Sequence, residues 1–238
     1  MIWKQEENHE STQELHDIGQ SLWLDNITRD LLDNGTMKRY IDEYSITGLT
    51  SNPTIFEHAI SKSKSYGWEI GRLMSAGLSG EELFFELALQ DLTRAADLFD
   101  PIHKRTAGTD GFVSLEVSPL LAYDTEKSVA AAKLLNKKGN RPNLFIKIPG
   151  TSEGVPAIEE AIASGIAINV TLLFSRDHYL ASADAYMRGL ERRLAAGLPD
   201  VRSVASVFVS RWDGATTATC HFPSHPQQGS HVPYRSLC

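Results

Sequence analysis

One lysine of this chain lies in the middle of an apolar segment. Lys147 follows Phe145 and Ile146 and precedes Ile148 in the segment N-L-F-I-K-I-P-G-T, residues 143–151. Because an isolated ammonium group is costly to bury, lysine is normally found at the solvated surface. A desolvated lysine loses affinity for its proton, and the neutral amine can then attack a carbonyl carbon to form a Schiff base. Lys147 is therefore either such a nucleophile or a lysine of an edge strand whose ammonium group reaches water.

Polar side chains also lie at or near the C-terminal ends of the other strand-like segments. Along the chain these groups are Asp25, Ser51 with Asn52, Glu116, Lys147, Asn169 with Thr171, and Ser206 with Arg211. In a parallel β-barrel the C-terminal strand ends meet at one mouth, where catalytic residues gather. These groups are either six independent structural features or one catalytic ring. The succession of acid, amide, acid, amine, amide and hydroxyl favours the ring.

Strand-like and helix-like segments alternate along the chain. The strand candidates lie near 21–25, 45–50, 112–118, 143–149, 166–173 and 203–211. Apolar residues at helical spacing predict helices at Glu81–Leu98, Glu126–Lys137, Val155–Ala163 and Arg176–Ala196. Such alternation implies parallel strands joined by right-handed helical crossovers.

Several strand candidates have a wholly apolar face opposite a mixed face. In the segment at 166–173, Ile166, Ile168, Val170 and Leu172 share one face, and Ala167, Asn169, Thr171 and Leu173 share the other. In a closed barrel the apolar face packs on the helices and the mixed face points inward. An open doubly wound sheet is the main alternative, but it would more often have continuous apolar strands and a glycine-rich first turn.

Composition and charge exclude several classes of protein. The 238-residue chain has 42% hydrophobic and 22% charged residues, which is ordinary for a soluble globular protein. Its net charge of −7 argues against nucleic acid as the main partner, while local basic pockets for a phosphorylated metabolite are compatible with it. The N-terminus lacks the apolar stretch of a signal peptide, and no run approaches the roughly 18 apolar residues of a membrane span. We therefore expect a cytoplasmic protein with no membrane partner.

Six motifs in unbroken order resemble those of the transaldolases, class I aldol-transfer enzymes of the pentose phosphate pathway. They are S-L-W-L-D-N-I-T-R-D-L-L at 21–32, I-T-G-L-T-S-N-P-T-I-F at 46–56, V-S-L-E-V-S-P at 113–119, N-L-F-I-K-I-P-G-T at 143–151, I-N-V-T-L-L-F-S at 168–175 and S-V-A-S-V-F-V-S-R at 203–211. The first motif and the long insertion before the third are similar to the longer bacterial subfamily. The resemblance covers residues 18 to 213.

The resemblance implies an α/β fold of the (β/α)8 TIM-barrel type and identifies Lys147 as the Schiff-base lysine. This lysine would attack the C2 carbonyl of a ketose phosphate such as sedoheptulose 7-phosphate or fructose 6-phosphate. Cleavage would leave a dihydroxyacetone unit on the lysine for transfer to an aldose phosphate. The implied partners are thus sugar phosphates. No cofactor or metal is needed, because the protonated imine serves as the electron sink.

The resemblance also implies three further catalytic residues. Glu116 would act as acid and base through a water during imine formation, with Thr171 holding that water. Asp25 would move the proton during carbon–carbon cleavage and formation. The structural alternatives are a buried hydrogen-bonded carboxylate for Glu116 and a helix N-cap before Ile27 for Asp25.

Five residues would bind the substrate if the resemblance holds. Asn52 and Asn169 would hydrogen-bond the substrate or the intermediate, Ser206 would contact sugar hydroxyls, Phe208 would pack near the lysine, and Arg211 would bind the phosphate. Two structural alternatives stay open. The amide of Asn52 is also suited to turn chemistry before Pro53, and Arg211 is also compatible with a surface position at a strand end.

After Asp213 the resemblance stops. Residues 214–238 contain none of the 30 acidic residues of the chain, both of its cysteines and three of its eight histidines, without helical or strand periodicity. We predict a transaldolase-like partial barrel at 1–213 and an unrelated, disordered tail at 214–238, which a frameshift with an early stop would explain. The spacing of Cys220, His221, His225 and His231 fits no standard zinc pattern, so we expect no metal site there.

The predicted barrel is incomplete, because about six strands cannot close a barrel of eight. Three hypotheses follow for the function. The chain is a transaldolase, a non-enzymatic and partly folded remnant, or another class I aldolase. The sequence does not give the oligomeric state.

Overall fold

The structure is a computed structural model that describes the backbone of residues 6–219 and the side chains of residues 11–216. It divides into two units, of which the first ends at Val207 and the second begins at Phe208. The first unit contains every strand of the described part of the chain.

Within residues 6–219 the chain forms six β-strands and ten α-helices. The strands are β1 (Leu22–Asp25), β2 (Ile46–Thr50), β3 (Val113–Glu116), β4 (Leu144–Pro149), β5 (Ile168–Leu173) and β6 (Ser203–Val207). The helices are α1 (Glu6–Asp17), α2 (Arg29–Asp33), α3 (Thr36–Glu43), α4 (Pro53–Lys62), α5 (Gly67–Ser75), α6 (Gly80–Arg105), α7 (Thr125–Gly139), α8 (Gly154–Ala163), α9 (Arg176–Ala195) and α10 (Val209–Thr219). Short 3₁₀ helices lie at Lys64–Tyr66 and Pro119–Leu121.

The six strands form one parallel sheet in the order β1-β2-β3-β4-β5-β6. Each strand therefore pairs with its neighbour in the sequence, and helices fill the connections. The sheet is curled into a partial barrel of the TIM type. The predicted α/β class with six parallel strands is confirmed, and its register aligns Glu116 with Lys147 and Lys147 with Asn169.

The outer face of the sheet packs on the helices, as the alternation of the strands predicts. Leu144, Ile146 and Ile148 are fully or almost fully buried and belong to the same core cluster as Ala157 and Ile158 of α8. The apolar face of the strands and the apolar face of the helices bury each other. This burial is the main contribution to the stability of the fold.

Aromatic rings fill the inner face of the sheet below the lysine. Phe145 stacks on Phe112 with ring centroids 4.0 Å apart, and on Trp23 with centroids 6.1 Å apart. Trp23 belongs to β1 and Phe145 to β4, so a flat sheet would hold these residues three strand spacings of about 4.8 Å apart. Their contact shows that the inner face is concave.

Strand β5 contains an irregularity that the sequence pattern did not predict. Its pairing with β6 shifts between Val170 and Leu173, and Leu172 has a positive φ of 59°. The extra residue reverses the alternation, so Leu172 is 37% exposed while Leu173 is buried in the core. The prediction that put Leu172 on the apolar face and Leu173 opposite was wrong, because a β-bulge inserts one unpaired residue.

The last strand is shorter than predicted. The sequence pattern extends it to residue 211, but β6 ends at Val207 and α10 begins at Val209. A short apolar run such as S-V-F-V is compatible with either a strand or a helix start, and periodicity alone does not separate them.

Part of the predicted tail lies in the described structure. Residues 214–219 continue α10. The rest of the tail, at 220–238, lies outside the described residues, as do Cys220, His221, His225 and His231. In the described part of the chain, the helices that reach eighteen residues are too polar to cross a bilayer.

Candidate active site

Lys147 lies on the inner face of the partial barrel near the C-terminal end of β4. Its residue is 5% exposed, and β4 pairs with β3 on one side and β5 on the other. The alternative of a lysine on an edge strand with its ammonium group in water is therefore wrong. The side chain is held where an amine is poorly solvated, as imine chemistry requires.

Three groups surround the amine of Lys147. Its Nζ atom lies 3.3 Å from Oε2 of Glu116, donates a hydrogen bond of 2.9 Å to the carbonyl oxygen of Ser51, and lies 3.4 Å from Oγ1 of Thr50. The carbonyl and carboxylate oxygens are both acceptors to which the amine can donate. The carbonyl contact orients Nζ, since a backbone oxygen at the end of a paired strand has little freedom to move.

Glu116 ends β3 beside Lys147, and its side chain is 13% exposed. Burial raises the pKa of the Glu116 carboxyl above its ordinary value of 4.5, and the negative charge of Asp25 adds to that rise. The ammonium group of Lys147 acts in the opposite direction, and the net pKa is raised. The carboxyl can therefore hold or release a proton at a higher pH than a solvated glutamate can, which suits an acid and base.

Asp25 ends β1 and is exposed. Its side chain has no hydrogen-bond partner among the described residues. Thr28 is the N-cap of α2, since its Oγ1 accepts from the backbone N–H of Leu31 at 3.1 Å. The alternative of Asp25 as an N-cap is therefore wrong, and its carboxylate is available to solvent or substrate.

Asn52 is the N-cap of α4, and Pro53 is the first residue of that helix. The Asn52 Oδ1 atom accepts from the N–H of Ile55 at 3.0 Å. Asn52 therefore has a local structural role, as the alternative of turn chemistry predicts. This role uses only the side-chain oxygen. Because the cap fixes the amide orientation, the Nδ2 group is the part of Asn52 that can donate to another molecule; in the described part of the chain it has no acceptor.

A chain of hydrogen bonds crosses the inner face from β6 to β3. Ser206 Oγ donates to Oδ1 of Asn169 at 2.8 Å, and Asn169 Nδ2 donates to Oγ of Ser114 at 3.1 Å. Asn169 and Ser114 are buried, and Ser206 is half-buried. Since Asn169 pairs in register with Lys147, these bonds fix an amide beside the amine.

Thr171 is buried immediately before the bulge in β5. Its backbone oxygen accepts from the N–H of Gly150 at 2.8 Å, while its hydroxyl has no hydrogen-bond partner among the described residues. A hydroxyl without a partner on an otherwise buried residue is suited to hold a water, which is the role that the resemblance assigns to it.

Phe208 and Arg211 belong to the second unit. Arg211 is exposed on α10, and its guanidinium carbon lies 5.6 Å from the ring centroid of Phe208. Their predicted contacts with the substrate stay predictions.

Sequence reasoning missed two partners of the lysine, the Ser51 carbonyl and the Thr50 hydroxyl. Ser51 was predicted as a polar residue at a strand end. Its backbone oxygen could not be predicted as a partner, because every residue type has one. The hydroxyl of Ser51 also donates to the carbonyl oxygen of Ser114 at 2.7 Å, which pins the end of β2 to β3. The one available signal was the strand order, which brings the end of β2 near β4 across β3.

Cavities of about 620 and 660 Å3 lie away from this cluster. The first is lined by Phe112, Leu144 and Ala167, among others, near the N-terminal ends of strands. The second lies beside α3 and α6. Neither is lined by a predicted site residue, so the chemistry of the lysine, not cavity size, defines the candidate site. Among the described residues, no group of three or more histidine, cysteine or acidic side chains is placed to hold a metal ion.

The family model described as Transaldolase/Fructose-6-phosphate aldolase matches residues 22–233. The match runs past Asp213 into the segment predicted as an unrelated tail, and that boundary stays a prediction.

Curated relatives carry the name transaldolase. The chain is 46% identical over 209 residues to the transaldolase of Thiobacillus denitrificans, a match that covers 87% of this chain and 58% of that protein. It is 43% identical over 202 residues to transaldolase 2 of Nostoc punctiforme, covering 84% of this chain and 53% of that protein. For the transaldolase of an Arthrobacter species the identity is 46% over 204 residues, with 85% and 55% covered. The chain therefore spans about half the length of the curated relatives it matches.

Proposed function

The chain belongs to the transaldolase/fructose-6-phosphate aldolase family, and from that premise we propose that it catalyses the transaldolase reaction through a Schiff base at Lys147. In this reaction a dihydroxyacetone unit passes from a ketose phosphate, sedoheptulose 7-phosphate or fructose 6-phosphate, to an aldose phosphate. The proposal assigns the chain to the pentose phosphate pathway and expects a cytoplasmic location.

The observation that carries the proposal is the buried pair of Lys147 and Glu116, with Nζ and Oε2 3.3 Å apart. A nucleophilic amine must lose a proton before it attacks, and a carboxyl within contact distance is the nearest acceptor for that proton. The raised pKa of the Glu116 carboxyl, caused mainly by its burial, makes this transfer less costly than it would be to a solvated glutamate.

Imine formation then uses the same proton twice. Glu116 accepts a proton from the ammonium group, and the free Nζ attacks the C2 carbonyl carbon of the ketose phosphate. The attacking nitrogen passes one of its two protons to the C2 oxygen, which becomes the hydroxyl of a carbinolamine. This hydroxyl leaves as water when Glu116 returns a proton through a bridging water. Thr171, a buried residue whose hydroxyl has no hydrogen-bond partner among the described residues, is suited to hold that bridging water. The product is a protonated imine between Nζ and C2.

Carbon–carbon cleavage requires a second base. The Asp25 carboxylate takes the proton of the C4 hydroxyl, the C3–C4 bond breaks, and its electron pair moves into the protonated imine to give an enamine. C4 leaves as the aldehyde of an aldose phosphate. Transfer reverses these steps: the enamine carbon attacks the acceptor aldehyde, Asp25 returns its proton, and water hydrolyses the new imine. The exposed, unbonded carboxylate of Asp25 is compatible with this role.

Substrate binding falls to the amides and hydroxyls of the inner face. The Nδ2 donor of Asn52 is suited to a sugar or carbinolamine oxygen, because its Oδ1 is already used by α4. Asn169 and Ser206 hold each other and present their remaining hydrogen-bonding capacity beside the lysine. We further propose that Arg211 binds the substrate phosphate and that Phe208 packs against the substrate.

Trapping the imine tests the proposal. The full chain is incubated with fructose 6-phosphate, reduced with sodium borohydride, digested and analysed by mass spectrometry. We expect a three-carbon adduct on Lys147, its absence in K147M, and its retention in K137M, which removes an exposed lysine outside the site. Addition of an aldose phosphate before reduction should consume the adduct and produce a new ketose phosphate.

The alternatives predict other results. A chain that melts cooperatively by circular dichroism but gives no adduct would contradict the proposal and favour a non-enzymatic protein. An adduct that an aldose phosphate does not consume would instead favour a class I aldolase without transfer activity.

A further inference from the structure

A buried carboxylate lies outside the site described above. Asp91, in the middle of α6, is 0% exposed and accepts hydrogen bonds from the hydroxyl of Tyr66 at 2.7 Å and from Nε of Arg29 at 2.8 Å. Tyr66 is also fully buried. The two donors satisfy both oxygens of a charge that has no contact with water.

These three residues contact one another, and the Arg29 guanidinium also donates to Oε1 of Gln90 at 3.2 Å. The backbone N–H of Arg29 donates to the Tyr66 hydroxyl at 3.0 Å, and the Arg29 guanidinium lies over the Tyr66 ring with its carbon 4.5 Å from the centroid. Arg29 is thus held both by its main chain and by its side chain. A buried pair of this kind adds little net stability compared with apolar packing, and its clearest use is to specify one arrangement.

The contacts among Tyr66, Asp91 and Arg29 fix the position of the chain segment that carries Asp25. Arg29 follows Asp25 by four residues and is the first residue of α2. On the other side, Asp25 pairs with Thr50 in the sheet. Because the Asp25 side chain makes no hydrogen bond in the described structure, only the backbone on its two sides determines where its carboxylate lies. Ile27, between Asp25 and Arg29, is fully buried and packs in the core, so this short segment is held at Ile27 as well as at Arg29.

Resting on the proposed function, we infer that Tyr66, Asp91 and Arg29 are positioning residues for the Asp25 carboxylate. They act mainly on the carbon–carbon cleavage step, which uses Asp25. Imine formation, which uses Lys147 and Glu116, is affected only through the smaller influence of the Asp25 charge on the Glu116 carboxyl. None of the three touches the reacting atoms.

The test is the variant Y66F, which removes the shared hydroxyl and keeps the ring under Arg29. The matched control is Y186F, which removes a hydroxyl that donates to the carbonyl oxygen of Val201 at 2.9 Å, away from Asp25. Borohydride trapping with fructose 6-phosphate separates the two steps, because uncleaved imine retains six carbons and cleaved imine three. Displacement of a catalytic group by an ångström can slow a step roughly a hundredfold. We therefore expect Y66F to shift the Lys147 adduct from three carbons towards six, and Y186F to leave it at three.

A second measurement does not depend on catalysis. Amide hydrogen exchange should become faster at residues 25–29 in Y66F and stay unchanged there in Y186F. Wild-type exchange at 25–29 in Y66F would overturn the inference, as would a three-carbon adduct in wild-type proportion. Should Y66F unfold at the assay temperature, R29K replaces it, since lysine keeps the charge and loses the planar contacts. If wild-type chain gives no adduct, the proposed function fails while the exchange comparison still decides the positioning role.

Discussion

The Nζ atom of Lys147 lies 3.3 Å from Oε2 of Glu116, and both side chains are largely excluded from water. Burial opposes charge on either partner, while each charge favours the other. For Glu116 the effect of burial is larger than the effect of the Lys147 charge, and the nearby Asp25 carboxylate acts in the same direction as burial. The pKa of this carboxyl is therefore raised. The protonation state of the pair is therefore set by three charged groups, and it can be changed by substitution at any of them.

Substitution of the two neighbours should move the pKa of the Glu116 carboxyl in opposite directions. K147M removes the positive charge that lowers this pKa, so the pKa should rise further. D25N removes the negative charge that raises it, so the pKa should fall towards the ordinary 4.5. The carboxyl carbon of Glu116, followed by 13C NMR through a pH titration, gives both values. Shifts of the same sign in the two variants would contradict the described balance.

Glu116 should also make the folded state less stable as the pH rises. Its folded-state pKa lies above the ordinary 4.5, so between these two values the folded chain binds more protons than the unfolded chain. The free energy of unfolding then falls with increasing pH across that window, by about 1.4 kcal/mol for each tenfold difference in proton affinity. E116Q cannot titrate and should lack this decline. Urea denaturation of wild type and E116Q at a series of pH values measures the difference, and parallel curves would refute it.

The sequence was sufficient to predict the elements on which the site depends. Alternating apolar residues predicted β4 and the inward direction of Lys147, and helical spacing predicted α6 to α9 within a few residues except at the C-terminal end of α6. These predictions succeed because burial of one face dominates the free energy of each element, and the spacing of apolar residues indicates that face. Helices α1 to α5 were not predicted. Helices α2, α3 and α5 have nine residues or fewer and carry too little periodicity, but α1 and α4, with 12 and 10 residues, were missed as well.

Contacts made by the backbone could not be predicted in the same way. The acceptor of the Lys147 amine is the Ser51 carbonyl, which every residue type possesses. The bulge at Leu172 depends on pairing with β6, a segment distant in sequence, so the local alternation gave the wrong face. Both features arise from tertiary pairing rather than from local pattern.

Asn52 offers a way to separate its two roles. N52D keeps an oxygen that can cap α4 and removes the Nδ2 donor, whereas N52A removes both. Aspartate and asparagine are nearly equal as N-caps, so N52D should retain the stability of wild type, and N52A should lose about 1 kcal/mol. If the donor binds substrate, both variants should require higher fructose 6-phosphate concentrations for half-maximal trapping, by roughly two- to tenfold. Wild-type trapping in N52D would mean that Asn52 is a cap only.

Ser206 is expected to hold Asn169 in place for the substrate. S206A removes the donor to Asn169 Oδ1 and leaves the amide held by its bond to Ser114 alone, so substrate trapping should weaken by roughly two- to tenfold. S203A is the matched control, because Ser203 in the same strand donates to the Ile168 carbonyl at 2.8 Å, away from the amine. Thermal melting should show comparable losses for the two variants. Equal trapping in both would contradict the assigned role of Ser206.

The stacked rings of Trp23, Phe145 and Phe112 on the inner face predict a specific steric effect at Gly48. A Cβ atom at this position would overlap the indole ring of Trp23, which itself stacks on Phe145, so the ring cannot move aside freely. G48A should destabilise the fold by about 1–3 kcal/mol, as overpacking of a core does. G71A is the control, since Gly71 lies exposed in α5 with open space around it, and there alanine should stabilise by about 0.5–1 kcal/mol. Combining G48A with W23L should recover part of the loss, because the smaller side chain removes the overlap. Urea denaturation of wild type and the three variants measures these free energies, and a G48A variant as stable as wild type would show that the rings are not packed as described.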